Sequence, residues 1–418
     1  MSSAEGGLVA PFGTAPQLAR PVVAAPSPPP TPEKPSRWYP VVVFGALAVA
    51  LFVVVGVSVL YLDLSRTPQN WRLLRGIPFL EGWVRWDAGW YWWIARHGYF
   101  LEDARQSPVA FFPGYPLVLQ ALSPYTGGPM LAGILVTLSA GMGVAVLFFR
   151  WCAARLGVAA ARTGLLLLLF YPFAYYLVGA VYADALYLCA VLAAFVLLER
   201  GHPVLAGLVG ALATATRPVG YALILGLVLR SFERRGRPLM GTGPLAASGG
   251  GPAQRWAPAA VLLSVGGLAS YSGWLWYRFG NPLAFISAQG EWGQPPGLAT
   301  WSKRAAFQAL SSFSFDLFHV RILVHLVLTL AAIALVPLVV RRLGWAYGAY
   351  AAATIAVPTL TSADFVGLGR YMLAAFPCFA VAGLLLSERP RLRAVVLPVS
   401  LGALVVFTSL FSRWNYVS

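Results

Sequence analysis

The sequence predicts an all-α polytopic membrane protein, a bundle of about ten transmembrane helices with an interfacial helix in a large first loop. Three observations carry this prediction. Hydrophobic residues make up 59% of the 418-residue chain and charged ones only 11%, against about a quarter charged in a soluble domain. Apolar runs long enough to cross a bilayer, about 20 helical residues, follow one another along most of the length. The basic residues behind the net charge of +16 sit in short clusters between those runs and form no single patch. Positive-inside topology places them there, which argues against a nucleic-acid partner.

Residues 1–38 carry Pro11, Pro16, Pro21, Pro26, Pro28, Pro30 and Pro35 among small residues, a composition that buries no core and reads as a disordered cytoplasmic tail. The first apolar run starts only after this tail and is too long for the apolar region of a cleaved signal peptide. That run is Val41–Leu62. The others are Met130–Phe149, Gly164–Gly179, Val181–Leu198, Pro203–Leu229, Pro258–Tyr277, Ile322–Val340, Trp345–Leu360, Tyr371–Leu386 and Ala394–Phe411. Phe111–Leu122 is shorter and reads as a half-span or surface helix. Residues 39–418 thus form one polytopic membrane domain.

Arginine sets the topology. Clusters occur at Arg150/Arg155/Arg162, at Arg230/Arg234/Arg235/Arg237, at Arg341/Arg342 and at Arg389/Arg391/Arg393. All lie on one side only if Pro203–Leu229 starts and finishes on that side. Pro218, inside Thr216-Arg217-Pro218, breaks the helical hydrogen-bond ladder there, so a re-entrant or broken helix is expected, tolerated where protein surrounds it. A single tilted span is the alternative. The N-terminus is then cytoplasmic, and two large loops, 63–110 and 278–321, lie on the non-cytoplasmic side with a smaller one at 361–369. Little polar sequence remains elsewhere to carry chemistry. Cys152, Cys189 and Cys378 lie in or beside apolar runs without metal-binding or disulfide spacing, and read as small buried hydrophobes.

The first loop holds Arg85-Trp86-Asp87-Ala88-Gly89-Trp90-Tyr91-Trp92-Trp93-Ile94-Ala95-Arg96-His97-Gly98-Tyr99. From Asp87 this reads as a short helix with an acidic N-cap and a glycine stop. Trp86, Trp90, Trp93, Ile94 and His97 recur at helical spacing, and such an aromatic helix belongs at headgroup depth. Asp87 is then either a general base stationed where a lipid phosphate lies, or an ordinary cap paired with Arg85.

Several stretches resemble the bacterial branch of the PIG-V mannosyltransferases, whose eukaryotic members add the second mannose to the GPI glycolipid. They are Arg85–Tyr91 with Ile94-Ala95 and Gly98-Tyr99; Ala110-Phe111-Phe112-Pro113-Gly114-Tyr115-Pro116-Leu117; Tyr171-Pro172 followed by Tyr182-Ala183-Asp184-Ala185-Leu186; Thr216-Arg217-Pro218-Val219-Gly220; Asn281-Pro282-Leu283-Ala284-Phe285 with Gln289 and Trp292; and Gly369-Arg370-Tyr371. In series they cover nearly the whole chain except the tail. The resemblance implies a GT-C type fold, an essential acid in the first extracytoplasmic loop, which is Asp87, and mannose as the sugar. The family commonly places a small hydroxyl residue where this chain has Ala183, so no role carries over to that position, and no GPI substrate carries over either.

The chemistry fits the residues. A polyprenyl-phosphate sugar brings its own leaving group, so the protein must supply a base for the acceptor hydroxyl and a cation for the departing phosphate. One direct displacement inverts the anomeric centre. Arg370 and Arg217 are the candidate phosphate ligands. Their structural counterparts are an interfacial arginine reaching water and an intramembrane pair with Asp184. Arg85, Trp86, Glu102, Asp103, Asp184, Gln289, Trp292 and Tyr371 are candidate substrate contacts. For Glu102 and Asp103 solvated loop charge is the plainer reading, for Gln289, Glu291 and Trp292 loop packing, and for His97 capping or packing. No metal-ligand cluster is evident, and a divalent metal is compatible with the carboxylates. The expected partners are a polyprenyl-phosphate sugar donor, a glycan, glycolipid or protein acceptor, and the bilayer. The alternative function is a transporter or flippase of lipid-linked sugars, although internal repeats and a second broken helix are lacking.

Overall fold

Where water is absent, each backbone N–H and C=O must find its partner within its own segment, so apolar sequence on this scale folds into helices. The computed structural model describes residues 36–62, 73–74, 76–102, 105–235, 255–294, 297–311, 316–365 and 367–415, and among them there are helices, turns and loops but no strand. The tail, through residue 35, and Arg237 lie outside the described residues.

The principal helices are α1 (Tyr39–Tyr61), α2 (Ala88–His97), α3 (Gly114–Thr126), α4 (Pro129–Leu156) and α5 (Val158–Leu169). Then come α6 (Asp184–Glu199), α7 (Pro203–Thr216), α8 (Tyr221–Glu233) and α9 (Ala257–Phe279). After a second large loop containing α10 (Arg304–Ser311) follow α11 (Leu317–Leu343), α12 (Trp345–Thr361), α13 (Phe376–Ser387) and α14 (Pro390–Ser412). Five helices, α1, α4, α9, α11 and α14, are long and apolar enough to cross a membrane. Their outward sides are apolar too: Val42, Val49 and Val53 of α1, Leu323, Val327 and Leu330 of α11, and Val395 and Val399 of α14 are exposed. Helices that are apolar both inward and outward are at home in lipid.

The other expected spans are shorter, and three are interrupted, Gly164–Gly179, Pro203–Leu229 and Tyr371–Leu386, so the broken helix expected at Pro218 is joined by two others. Gly164–Gly179 is helical only to Leu169, after which the chain unwinds through Tyr171-Pro172 to a single turn at Tyr175–Val178. Pro172 has no N–H to give the ladder and disfavours helical geometry in the residue before it. Tyr371–Leu386 likewise divides into the turn Leu368–Met372 and α13, with Pro377 in the first turn of the new helix. Phe111–Leu122 becomes α3, 13 residues long, too short to span.

All the basic clusters with described residues meet at one end of the bundle. Arg155 at the end of α4 lies 2.5 Å from Glu199 at the end of α6, and Arg230 of α8 reaches the same carboxylate at 2.7 Å. Arg234 stands 3.7 Å from it. Tyr347, just beyond the Arg341/Arg342 end of α11, donates to Glu199 at 3.0 Å. Glu233 accepts from Arg230 at 2.9 Å and from the Ala346 N–H at 3.0 Å. Helices α5 and α13 run antiparallel, with Gly164 and Gly383 at the crossing. A Cβ on Gly383 would strike the Gly164 backbone, so only glycine allows this approach. That pairing brings Arg389 to the same end.

The Arg230–Glu199 contact also decides the course of Pro203–Glu233. α7 leaves the bundle end beside Glu199, the chain turns through a 3₁₀ segment at Pro218–Gly220, and α8 returns to Glu199. It is a broken helical hairpin, not one tilted span. Because one carboxylate serves several guanidiniums here, removing it leaves uncompensated charge. We expect Glu199→Ala to cost about 3–5 kcal/mol, read as a lowered unfolding midpoint in detergent, with exposed Glu102→Ala unchanged beside it.

Candidate functional site

At the opposite end of the bundle, four charged side chains from widely separated segments converge. Asp184 opens α6, where the unpaired N–H groups of a helix N-terminus favour an anion. Arg217 occupies the extended hinge between α7 and α8, and its Nη1 is bonded to Asp184 Oδ1. Arg370, in the turn Leu368–Met372, places Nη1 3.0 Å from Asp87 Oδ2 and Nε 3.7 Å from Asp184 Oδ1. The order is therefore Asp87–Arg370–Asp184–Arg217, two negative and two positive charges. Side-chain exposure is greater in the outer pair, 21% for Asp87 and 13% for Arg370, than in the inner one, 3% for Asp184 and 7% for Arg217. Asp87 is the member that solvent or substrate reaches first.

Asp87 holds the N-cap position of α2, as expected, but its side chain makes no capping bond and turns to Arg370. Its backbone N–H donates to the Tyr182 hydroxyl at 3.1 Å. The preceding Trp86 has φ +55, a left-handed conformation that a bulky side chain adopts only when packing enforces it, at a cost of about 1–3 kcal/mol. The packing is visible: the Trp86 and Trp414 rings lie 5.4 Å apart. Arg85, the partner that sequence offered for Asp87, is fully buried and points elsewhere. It donates to the carbonyls of Ser412 at 2.8 Å and Glu81 at 2.7 Å and lies over Trp414. Arg85 thus closes the end of α14 and does not join the charged group.

Aromatic rings line the arginines. Arg370 lies over Tyr182 at 5.0 Å, Tyr176 at 5.3 Å and Tyr371 at 5.5 Å, and Arg217 lies over Tyr371 at 4.7 Å. Tyr371, a sequence candidate, therefore sits between the two cations. Tyr176 and Tyr182 were not singled out by sequence. Tyr182 lies two residues before Asp184 in a quoted motif, and that proximity was the available signal.

The other candidates scatter. Trp292 packs against Trp90 at 5.2 Å and Phe111 at 5.3 Å, so the second loop comes to the helix that begins at Asp87. Gln289 makes only a local bond, to the Phe285 carbonyl at 3.4 Å. Glu102 pairs with Arg105 on the surface, Asp103 lies outside the described residues, and His97 packs on Trp93 at 4.5 Å. Lys303 joins the second loop to the segment before Arg370, donating to the Ser362 carbonyl. Burial pushes its ammonium below the ordinary lysine range, against the pull of Asp364. Among the described residues no three His, Cys, Asp or Glu side chains gather as a metal would require.

No family model and no curated protein matches the chain. Among solved structures, an oligosaccharyltransferase from Archaeoglobus fulgidus, crystallised with a tethered acceptor peptide containing the NVT sequon, superposes with a TM-score of 0.44 at 13% identity. The match covers 92% of this chain and 56% of that one. A likeness at that level leaves family, donor and acceptor unassigned.

The two aspartates differ in what their loss exposes. Asp184→Ala leaves Arg217 buried without its anion and is expected to cost about 3–5 kcal/mol. Asp87→Asn, at the more exposed end, is expected to shift the unfolding midpoint little. Thermal unfolding of both variants in detergent checks the contrast.

Proposed function

We propose that this chain is an integral membrane glycosyltransferase of the GT-C type that moves a hexose from a polyprenyl-phosphate donor to a glycan, glycolipid or protein acceptor, with inversion. The observation that carries the reading is the Asp87–Arg370 pair at 3.0 Å. It places a carboxylate and a guanidinium side by side at the end of the bundle opposite the basic clusters, with Asp87 the more exposed. By the positive-inside rule that end faces away from the cytoplasm. Mannose is the sugar implied by the PIG-V-like motifs.

The chemistry follows from the order of charges. At rest Arg370 keeps Asp87 in an ion pair. An arriving phosphate competes for the guanidinium, whose Nε is buried without an acceptor in hydrogen-bonding range. Its planar fork suits phosphate oxygens. Asp87, released, accepts the acceptor hydroxyl proton while that oxygen bonds to the anomeric carbon. The bond from that carbon to the phosphate oxygen breaks, and the polyprenyl phosphate leaves with the additional negative charge beside Arg370. Asp184 and Arg217 stay paired behind, so the net charge seen by the donor comes from Arg370. Trp90, one helical turn from the base, and Trp292, packed edge-on against it, supply half-buried aromatic surface of the kind that suits sugar.

The test is transfer of radiolabelled polyprenyl-phosphate mannose to a candidate acceptor by purified protein. Wild type is expected to form the glycoside, and Asp87→Asn to lower the rate about 10²–10⁴-fold, the usual contribution of a positioned base. Movement of the lipid-linked sugar across vesicles with no covalent product would overturn the reading in favour of a flippase.

A further inference from the structure

Arg370 is a long side chain on a short turn, and what aims it is the peptide before it. Both backbone groups of Gly369 are taken by side chains from distant segments. Its N–H donates to His325 Nδ1 at 2.8 Å, and its carbonyl accepts from the Tyr171 hydroxyl at 3.0 Å. His325 belongs to α11 and is wholly buried, its ring stacked on Phe173 with centroids 4.7 Å apart and planes 22° from parallel. Phe173 lies two residues past Tyr171, so one unwound segment supplies both the hydroxyl and the ring that fixes the imidazole. A Cβ on Gly369 would run into Phe173 and His325, which leaves glycine as the residue that fits.

We infer that His325 and Tyr171 are positioning residues that hold Gly369 from both sides and thereby aim the Arg370 guanidinium at the donor phosphate. This inference rests on the phosphate-binding role proposed for Arg370. A backbone N–H can only donate, so Nδ1 is the acceptor and the imidazole is neutral with its proton on Nε2. The unwinding at Tyr171-Pro172, which has no role in forming a span, gains one here: it lets the Tyr171 hydroxyl reach the turn that carries Arg370. The pair touches no reacting atom, and its effect passes through the direction of one guanidinium.

The experiment compares full-length wild type with His325→Leu, His325→Asn and Tyr171→Phe, measuring kcat and KM separately for polyprenyl-phosphate mannose and for the acceptor. Loss of one such hydrogen bond is expected to lower kcat/KM for the donor about tenfold in H325L and Y171F, with the acceptor KM unchanged. Asn offers Oδ1 near the place of Nδ1, so H325N is expected to recover most of the loss. Should H325L fold poorly, H325N and Y171F carry the test, with their unfolding midpoints as control. An H325N as impaired as H325L, or donor kinetics in Y171F equal to wild type, overturns the inference. A wild type that transfers no hexose at all overturns the glycosyltransferase reading itself, which is a separate result.

Discussion

An arginine at the turn of a hairpin enclosed by apolar helices cannot remain without an anion, and this requirement organises one end of the molecule. On insertion scales an unpaired arginine at mid-helix costs about 2.5–3.5 kcal/mol. Asp184 answers it from the first residue of α6, where the helix dipole already favours negative charge. Once Asp184 and Arg217 neutralise each other, a second pair can be assembled above them at small net charge. Arg370 enters between Asp184 and Asp87, and the tyrosines at 176, 182 and 371 cover the guanidinium faces that have no carboxylate. The result is a stack of alternating charge whose outer pair, Asp87 and Arg370, is the more exposed.

The far end of the bundle makes this stack reproducible. The hinge that carries Arg217 stands at the tip of α7 and α8, and the depth of a tip depends on how its feet are fixed. Those feet are held at Glu199, to which Arg155, Arg230 and Tyr347 all bond. The same helix, α6, therefore carries the anchor at its C-terminus and Asp184 at its N-terminus. Sixteen helical residues set the distance between them, and a rigid helix is a more accurate spacer than a loop.

Much of this was legible in sequence, and the limit of legibility has a physical form. Apolar runs marked the long helices, because lipid demands continuous apolar surface. Thr216-Arg217-Pro218 marked the hinge, because proline and charge interrupt such a run locally. Arg217 and Asp184 stood out as charge within apolar runs, Arg370 as charge at the start of one, and Asp87 as the acid of the aromatic helix in the first loop. Sequence offered the Arg217–Asp184 pair, which the structure forms, but not the partner of Asp87. Asp87 had a nearby partner in Arg85, yet it joins Arg370, 283 positions away, while Arg85 serves Ser412, 327 positions away. Periodicity reports neighbours a few residues apart, and pairings of that range belong to tertiary packing. His325 gave no signal, since a single histidine in an apolar helix looks the same whether it packs or positions. The interruption at Tyr171-Pro172 was passed over because the surrounding composition remained apolar.

The loop that presents Asp87 is clasped to α14: Arg85 closes the α14 terminus, and Trp86 rests on Trp414 in a backbone conformation that neither tryptophan would hold unaided. A ribosome delivers residue 86 long before residue 414. The aspartate therefore waits, incompletely supported, while the intervening helices are inserted, and the contacts of Arg85 and Trp86 form only when α14 docks. The order of synthesis thus makes the bracing of this loop a late step of folding, later than the insertion of the helices between the two segments.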